Sequence, residues 1–263
     1  MRGAINLTKW LLAAIVFVLI VALAALLQLG SGSRWASVDT AVAAEMTQAE
    51  FERRVRAFLL ANPEVIAEAL QKLEARNQEA ERAEAKVVLK ARSDEIFRDS
   101  TSPVGGNDKG DVTLAEFHDY NCPYCRRVAP IVHEAEAADK QLRVVYKEFP
   151  ILGPNSLFAA KAALAAHRQG KYVAFHQALM QLKAPADEQR VLAVAATTGL
   201  DVGRLKSDMA DPAIQAAIDR NLALARALRI DGTPGFVIGE QIVRGAIDLA
   251  TMQQLIREAR EKK

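Results

Sequence analysis

The only two cysteines of this 263-residue chain stand together in Asn121-Cys122-Pro123-Tyr124-Cys125. Before them, Val112-Thr113-Leu114-Ala115-Glu116-Phe117 has the β-branched and aromatic content of a buried strand. After them, Arg126 to Ala138 lacks glycine, and Val128, Ile131, Val132 and Ala135 recur at helical spacing. Pro130 lies too deep for a first turn, which predicts a bend. Cys122 therefore falls where a strand ends and a helix begins, a position whose unpaired N–H groups and macrodipole favour a thiolate, the reactive form of cysteine. A pair this close can also close a small, strained disulfide suited to being broken again. Three other readings compete. A permanent bridge here would enclose too little chain to stabilise much. Half a metal site would want a second cysteine pair or a histidine at finger spacing. Two inert buried thiols would not need the strand and helix around them.

The ends of the chain say where such a pair would work. Arg2 and Lys9 precede Trp10–Leu29, an uncharged run matching the ~20 residues a helix needs to cross a bilayer. Positive charge in front predicts that everything after Gly30 lies outside the cytoplasm, in a periplasmic compartment. A cleaved signal peptide is the rival, with Ala41-Val42-Ala43-Ala44 downstream, but the apolar run exceeds the usual ~7–15 residues and favours an uncleaved inner-membrane anchor. Either way the cysteines meet an oxidising environment. A net charge of +2 and a pI near 8.5 are too mild to argue for nucleic acid.

Five segments follow: residues 1–30 as anchor or signal, 31–46 as linker around Gly30-Ser31-Gly32-Ser33, 47–100 as a helical module, 101–110 as a second linker, and 111–263 as the catalytic domain. In the module, Thr47 and Glu50 read as a capping box. Phe51, Val55, Phe58 and Leu59 form one apolar stripe; Asn62-Pro63 interrupts it, with Asn62 as a cap for the next helix. Ile66, Leu70 and Leu73 continue it before the sequence turns strongly charged. Leu59, Ile66, Leu73, Ala80 and Val87 fall seven apart without good companion positions. The module is either a solvated spacer or a self-association surface. Ser102 to Gly110 is turn-forming throughout.

Leu114-Ala115-Glu116-Phe117, Cys122-Pro123-Tyr124-Cys125 and Gly232-Thr233-Pro234-Gly235-Phe236 together resemble the DsbA family of thioredoxin-fold thiol–disulfide oxidoreductases. Phe51 to Val55 and Asn62 to Ile66 resemble the N-terminal segment of copper-sensitivity-suppressor thioredoxin-like proteins, some of which oligomerise through it. The resemblance implies an α/β thioredoxin fold with a helical insertion at about 155–229. The sequence itself divides that stretch into helices at Gly170, Ala184-Pro185, Gly199 and Asp211-Pro212. Gln141 to Phe149 reads as a strand parallel to the first, Phe236-Val237-Ile238 and Gln241-Ile242-Val243 as a hairpin, and Asp248 as the cap of a last amphipathic helix.

Roles follow. Cys122 is expected to be the exposed nucleophile and Cys125, one turn further on, the less accessible resolving thiol. Pro123 suits an early helical position. The resemblance implies that Tyr124 tunes the potential, leaving the protein less oxidising than members with a histidine there. It also implies that Glu116 is a buried acid relaying protons for Cys125, against the alternative of an outward strand carboxylate, and that Thr233-Pro234 is a cis peptide beside which substrate chains bind. Thr233 resembles isomerase and reductase members more than strong oxidants. The implied partners are exported proteins bearing thiols or disulfides, a membrane redox partner and further copies of the chain. No metal and no cofactor beyond a Cys122–Cys125 disulfide is called for. His118 is expected near the active-site rim, His133, His167 and His176 as ordinary surface or core residues, and Lys147 and Glu148 as an exposed pair. Two rivals from other classes are Cu(I) held between the thiolates, which Met46, Met180, Met209 and Met252 do not cluster to support, and a non-catalytic surface protein.

Overall fold

The computed structural model describes residues 46–262. The expected membrane or signal segment, Trp10–Leu29, and the linker up to residue 45 lie outside the described residues. Among the described residues no helix is long and apolar enough to cross a membrane.

Of the described residues, those up to Leu73 fall in one unit and those from Glu74 in a second. In the first, α1 spans Gln48–Ala61, and the Thr47 hydroxyl accepts from the Glu50 N–H at 3.3 Å as the capping pattern predicts. Asn62 closes this helix rather than opening the next: its backbone N–H and its side-chain amide both donate to the Phe58 carbonyl, each at 2.9 Å. Then α2 begins at Glu64 and runs to Ala91. No residue of α1 is buried, and Phe51, Val55, Phe58, Ile66, Leu70 and Leu73 are all exposed.

The second unit is built on a five-stranded sheet in the order β1 (Val104–Gly106), β3 (Leu142–Glu148), β2 (Val112–His118), β4 (Gly235–Ile238), β5 (Gln241–Arg244). Strand β2 (Val112–His118) leads through α4 (Pro123–Ala138) to β3 (Leu142–Glu148), which pairs parallel to it, so the expected strand–helix–strand unit is present. Pro130 lies inside α4, which continues to Ala138. Five helices form the insertion: α5 (Pro154–Arg168), α6 (Tyr172–Met180), α7 (Glu188–Thr197), α8 (Val202–Met209) and α9 (Pro212–Ala227). Strands β4 (Gly235–Ile238) and β5 (Gln241–Arg244) make the antiparallel hairpin, and Asp248 caps the final helix over Leu249–Glu261, which buries Met252 and Ile256. Strand alternation divides the core. Leu114, Val144, Tyr146 and Phe236 face a cluster containing α4, most of the insertion and the last helix. Ala115, Phe117, Val145 and Val237 face a smaller one.

Three expectations are corrected. Residues 101–110 are not all linker, because Val104–Gly106 forms β1, an edge strand antiparallel to β3. Gly106 is required, since its φ is +67° and a Cβ there would meet the Leu142 carbonyl at 2.5 Å, while a Cβ on Gly105 would press on the Tyr146 ring at 3.0 Å. Nor does the domain begin at 111. Leu89 of α2 and Ile96 of α3 (Ser93–Phe97) are buried with Phe117, Phe149 and Leu228. Lastly, Lys147 and Glu148 are not an exposed pair; both are buried, on opposite faces of β3. The Lys147 ammonium donates to the Glu95 carbonyl at 2.6 Å and the Ser102 hydroxyl at 2.8 Å, with Asp99 at 3.6 Å. These contacts fasten residues 95–102 to the sheet, and burial, opposed by Asp99, lowers the Lys147 pKa to about 8.

Candidate active site

Asp119 builds the turn that carries the cysteines. Its carboxylate accepts from the Asn121 N–H at 2.8 Å on one oxygen, and from the Ile151 and Leu152 N–H groups at 2.9 and 3.0 Å on the other. Its carbonyl accepts from the Cys122 N–H at 3.1 Å. Asn121 ties the same turn to the insertion, donating to the Ser156 hydroxyl at 3.2 Å and accepting from the Ala186 N–H at 2.8 Å. Arg126 completes the frame through the carbonyls of Tyr120 and Leu182. Cys122 is thereby held as the N-cap of α4, with Pro123 in its first turn, as strand and helix patterning predicts.

Both cysteines are reduced. Cys122 is 4% exposed and Cys125 fully enclosed, so the order of accessibility is as expected but Cys122 shows far less surface than an exposed nucleophile would. The two sulfurs divide their chemistry. A hydrogen bond from the Cys125 thiol does most to draw the Cys122 pKa down from 9.0 to about 5, overcoming burial. The Thr233 side chain and the first-turn N–H groups of Cys125 and Tyr124 add to it, the latter being the terminal N–H field that the sequence predicts, although Cys122 forms no formal cap bond. Donating that bond, together with burial, pushes the Cys125 thiol far above its ordinary value. One sulfur is a thiolate at neutral pH and its neighbour holds its proton.

The Thr233–Pro234 bond is cis, and the Thr233 carbonyl lies 3.2 Å from the Cys122 sulfur. A protonated Cys122 donates to that oxygen, whereas the thiolate is served by the donors named above. Tyr124 is exposed, with the Arg127 guanidinium 4.9 Å from its ring centroid. Thus Cys122, Pro123, Tyr124, Cys125, Thr233 and Pro234 meet at one place.

Glu116 lies on β2 behind them, fully buried, with no hydrogen-bond partner for either carboxylate oxygen. Burial raises its pKa; the His118 charge opposes the rise and the Glu148 charge adds to it. It interacts electrostatically with Cys125. The residues missed from sequence surround it. His118, expected at the rim, is fully buried with its Nε2 3.4 Å from Glu148 Oε1. That oxygen also accepts from the hydroxyls of Tyr120 at 3.0 Å and Tyr172 at 2.6 Å. His176 packs against His118 with ring centroids 4.7 Å apart. One signal was available: Glu116 and His118 are two residues apart on one strand and so share a face. A cavity of about 610 Å³ between α4 and α6 is bordered by His133, Tyr146, His176 and Met180, and includes none of the expected site residues.

A parallel strand–helix–strand unit, a dithiol at the helix N-terminus and a facing cis-proline define a thioredoxin-fold protein. The DSBA-like thioredoxin domain matches residues 113–257, more than half the sequence, and the chain belongs to that family. The copper resistance protein ScsC N-terminal domain matches residues 48–80. A thioredoxin-like oxidoreductase from Silicibacter pomeroyi is 48% identical, covers 64% of this chain and 97% of its own, and superposes with a TM-score of 0.63. A linker-deletion and N6K mutant of Proteus mirabilis ScsC is 29% identical over 84% of this chain and all of its own, with a TM-score of 0.66. The thiol:disulfide interchange protein DsbA of Bordetella parapertussis is 27% identical over 60% of this chain and 82% of that protein. A Na(+)/H(+) antiporter NhaA of Herminiimonas arsenicoxydans is 28% identical over 60% of this chain, and the match spans only about a quarter (25%) of the antiporter's length.

Proposed function

We propose that this protein is an extracytoplasmic protein-disulfide oxidoreductase or isomerase whose redox group is the Cys122–Cys125 pair. The observation that carries the reading is the asymmetry of the two sulfurs: a Cys122 thiolate against the Thr233–Pro234 bond, and a Cys125 thiol enclosed behind it. The Cys122 thiolate attacks a substrate disulfide, forming a mixed disulfide and releasing one substrate sulfur as thiolate. Cys125 then attacks the Cys122 sulfur, closing the internal disulfide and releasing the second substrate sulfur, while Glu116 takes the Cys125 proton. Run backwards, the same steps oxidise a substrate dithiol. The backbone before Pro234 pairs with the extended substrate chain. Substrates are exported proteins with thiols or disulfides, and a membrane redox partner resets the pair. Residues 10–29 anchor the chain in the inner membrane. The exposed apolar stripe of Phe51, Val55, Phe58, Ile66, Leu70 and Leu73 supports self-association.

The test is reactivation of a substrate with scrambled disulfides in a glutathione buffer. Reactivation that disappears in Cys122→Ser and falls in Phe51→Glu/Phe58→Glu establishes an isomerase that works as an assembly. Oxidation of a reduced substrate without reactivation makes the protein an oxidase. If neither occurs, the enzymatic reading is wrong and copper titration of the dithiol comes next.

A further inference from the structure

The sheet face behind the cysteines carries more titratable groups than thiol exchange by Cys122 and Cys125 requires. On β2, Glu116 and His118 point the same way; on β3, Tyr146 and Glu148 are their register partners. The loop contributes Tyr120, and α6 adds Tyr172 and His176. All seven are buried. Glu148 Oε1 holds two tyrosine hydroxyls and lies 3.4 Å from His118, while its carbonyl accepts from the Asn221 amide at 3.2 Å. An uncompensated buried carboxylate is expensive, so the negative charge of Glu148 keeps its imidazolium partner beside it. His176, with its Nδ1 3.1 Å from the Tyr120 hydroxyl, is the neutral member, pushed well down by burial and by His118.

Glu116, the acid nearest the chemistry, has no donor on either oxygen. Nothing bonded to it sets its proton affinity, so the field of its neighbours does. The closest cation on its face is the His118 imidazolium, two residues along an extended strand and thus roughly 6–7 Å away.

We infer that His118, held charged by Glu148, is a positioning residue that governs how readily Glu116 accepts the Cys125 proton, and so how fast Cys125 closes the disulfide. The inference rests on the reading of Cys125 as the resolving thiol. In the step concerned, the Cys125 S–H gives its proton to Glu116, the Cys122–Cys125 bond forms, the bond from Cys122 to its adduct breaks, and the adduct sulfur leaves as thiolate. No outside oxidant enters. The imidazolium favours ionised Glu116, the form that can take a proton. A neutral residue at 118 raises the proton affinity of Glu116 and leaves less of that form at neutral pH.

The experiment loads Cys122 of the full chain with thionitrobenzoate and follows its release by Cys125 across pH, in wild type, His118→Gln, Glu116→Gln and the double variant. Release near pH 7 is expected to be ~10-fold or more slower in His118→Gln, with its pH midpoint displaced upward by about a unit. In the Glu116→Gln background the second change is expected to do nothing, because the group it acts through is gone. Equal slowing by His118→Gln in both backgrounds, or an unmoved midpoint, overturns the inference in favour of a packing role. Thionitrobenzoate release needs no protein substrate, so a wild type that closes its disulfide but neither reactivates a scrambled substrate nor oxidises a reduced one fails the proposed function and leaves this inference standing.

Discussion

The low pKa of Cys122 is also a statement about stability, and a measurable one. The group is drawn from 9.0 to about 5 in the folded, reduced protein. Because the folded value is depressed, the contribution is complete above the unfolded pKa and is lost as pH falls through about 5. At pH 7 the chain stands about two units above the folded value, so the thiolate contributes about 2–3 kcal/mol to the reduced state, against almost nothing near pH 4. Other groups titrate over the same range, so the wild type alone cannot report this. Cys122→Ser removes the thiolate and leaves His118, Glu116 and Asp99 in place, and the difference between the two proteins isolates it. Urea unfolding under reducing conditions is expected to show reduced wild type losing about 2–3 kcal/mol more than Cys122→Ser between pH 7 and pH 4. The oxidised protein, which has no thiolate, is expected to follow the serine variant. Parallel pH profiles for reduced wild type and Cys122→Ser would refute the reasoning, because a thiolate stabilised only in the folded state must appear in this difference.

Thr233→Val removes one donor to the thiolate and is expected to raise the Cys122 midpoint by about one unit, the value of one hydrogen bond to a charged group, read from the pH dependence of alkylation. Asp99→Asn withdraws the charge facing buried Lys147 and is expected to destabilise the protein by about 1–3 kcal/mol at pH 6. That loss shrinks as pH rises past about 8, where Lys147 becomes neutral, and chemical unfolding at the two pH values checks it. Asp119→Ala leaves the Ile151 and Leu152 N–H groups without their acceptor and is expected to cost about 1–3 kcal/mol, with faster hydrogen exchange at those two amides. Phe51→Glu/Phe58→Glu is expected to lower the mass measured by light scattering; an unchanged mass would reduce the stripe to a spacer surface.

What the sequence disclosed, and what it hid, follow from the range of the interactions involved. The dithiol at the strand–helix junction, the helical insertion and the capped helices at Thr47 and Asp248 were legible because each rests on residues within a turn or two of one another. Strand β1 was not, because two of its three residues are glycines, which are depleted in strands; it pairs because β3 offers it an edge. The boundary at 111 failed because burial of Leu89 and Ile96 depends on Phe117, Phe149 and Leu228. Lys147 and Glu148 looked exposed because their compensating partners, Glu95, Ser102, Tyr120 and Tyr172, lie 24 to 52 residues away. The same separation hid the His118–Glu148–His176 cluster, which no local pattern spells out. The cis bond at Pro234 came from the family resemblance, since X-Pro alone is cis in only ~5–6% of cases.

The near-complete enclosure of Cys122 bears on damage as well as on exchange. A sulfur that is ionised at neutral pH is the natural target of peroxide, and oxidation beyond the first step destroys it. Here the whole residue is only 4% exposed to solvent, with a second thiol hydrogen-bonded to its sulfur from within. A sulfenic acid formed at Cys122 meets Cys125 before it meets another peroxide and condenses with loss of water to the disulfide of the proposed exchange cycle. On the proposed function, the first oxidative injury at this site thus returns the protein to one of its own working states.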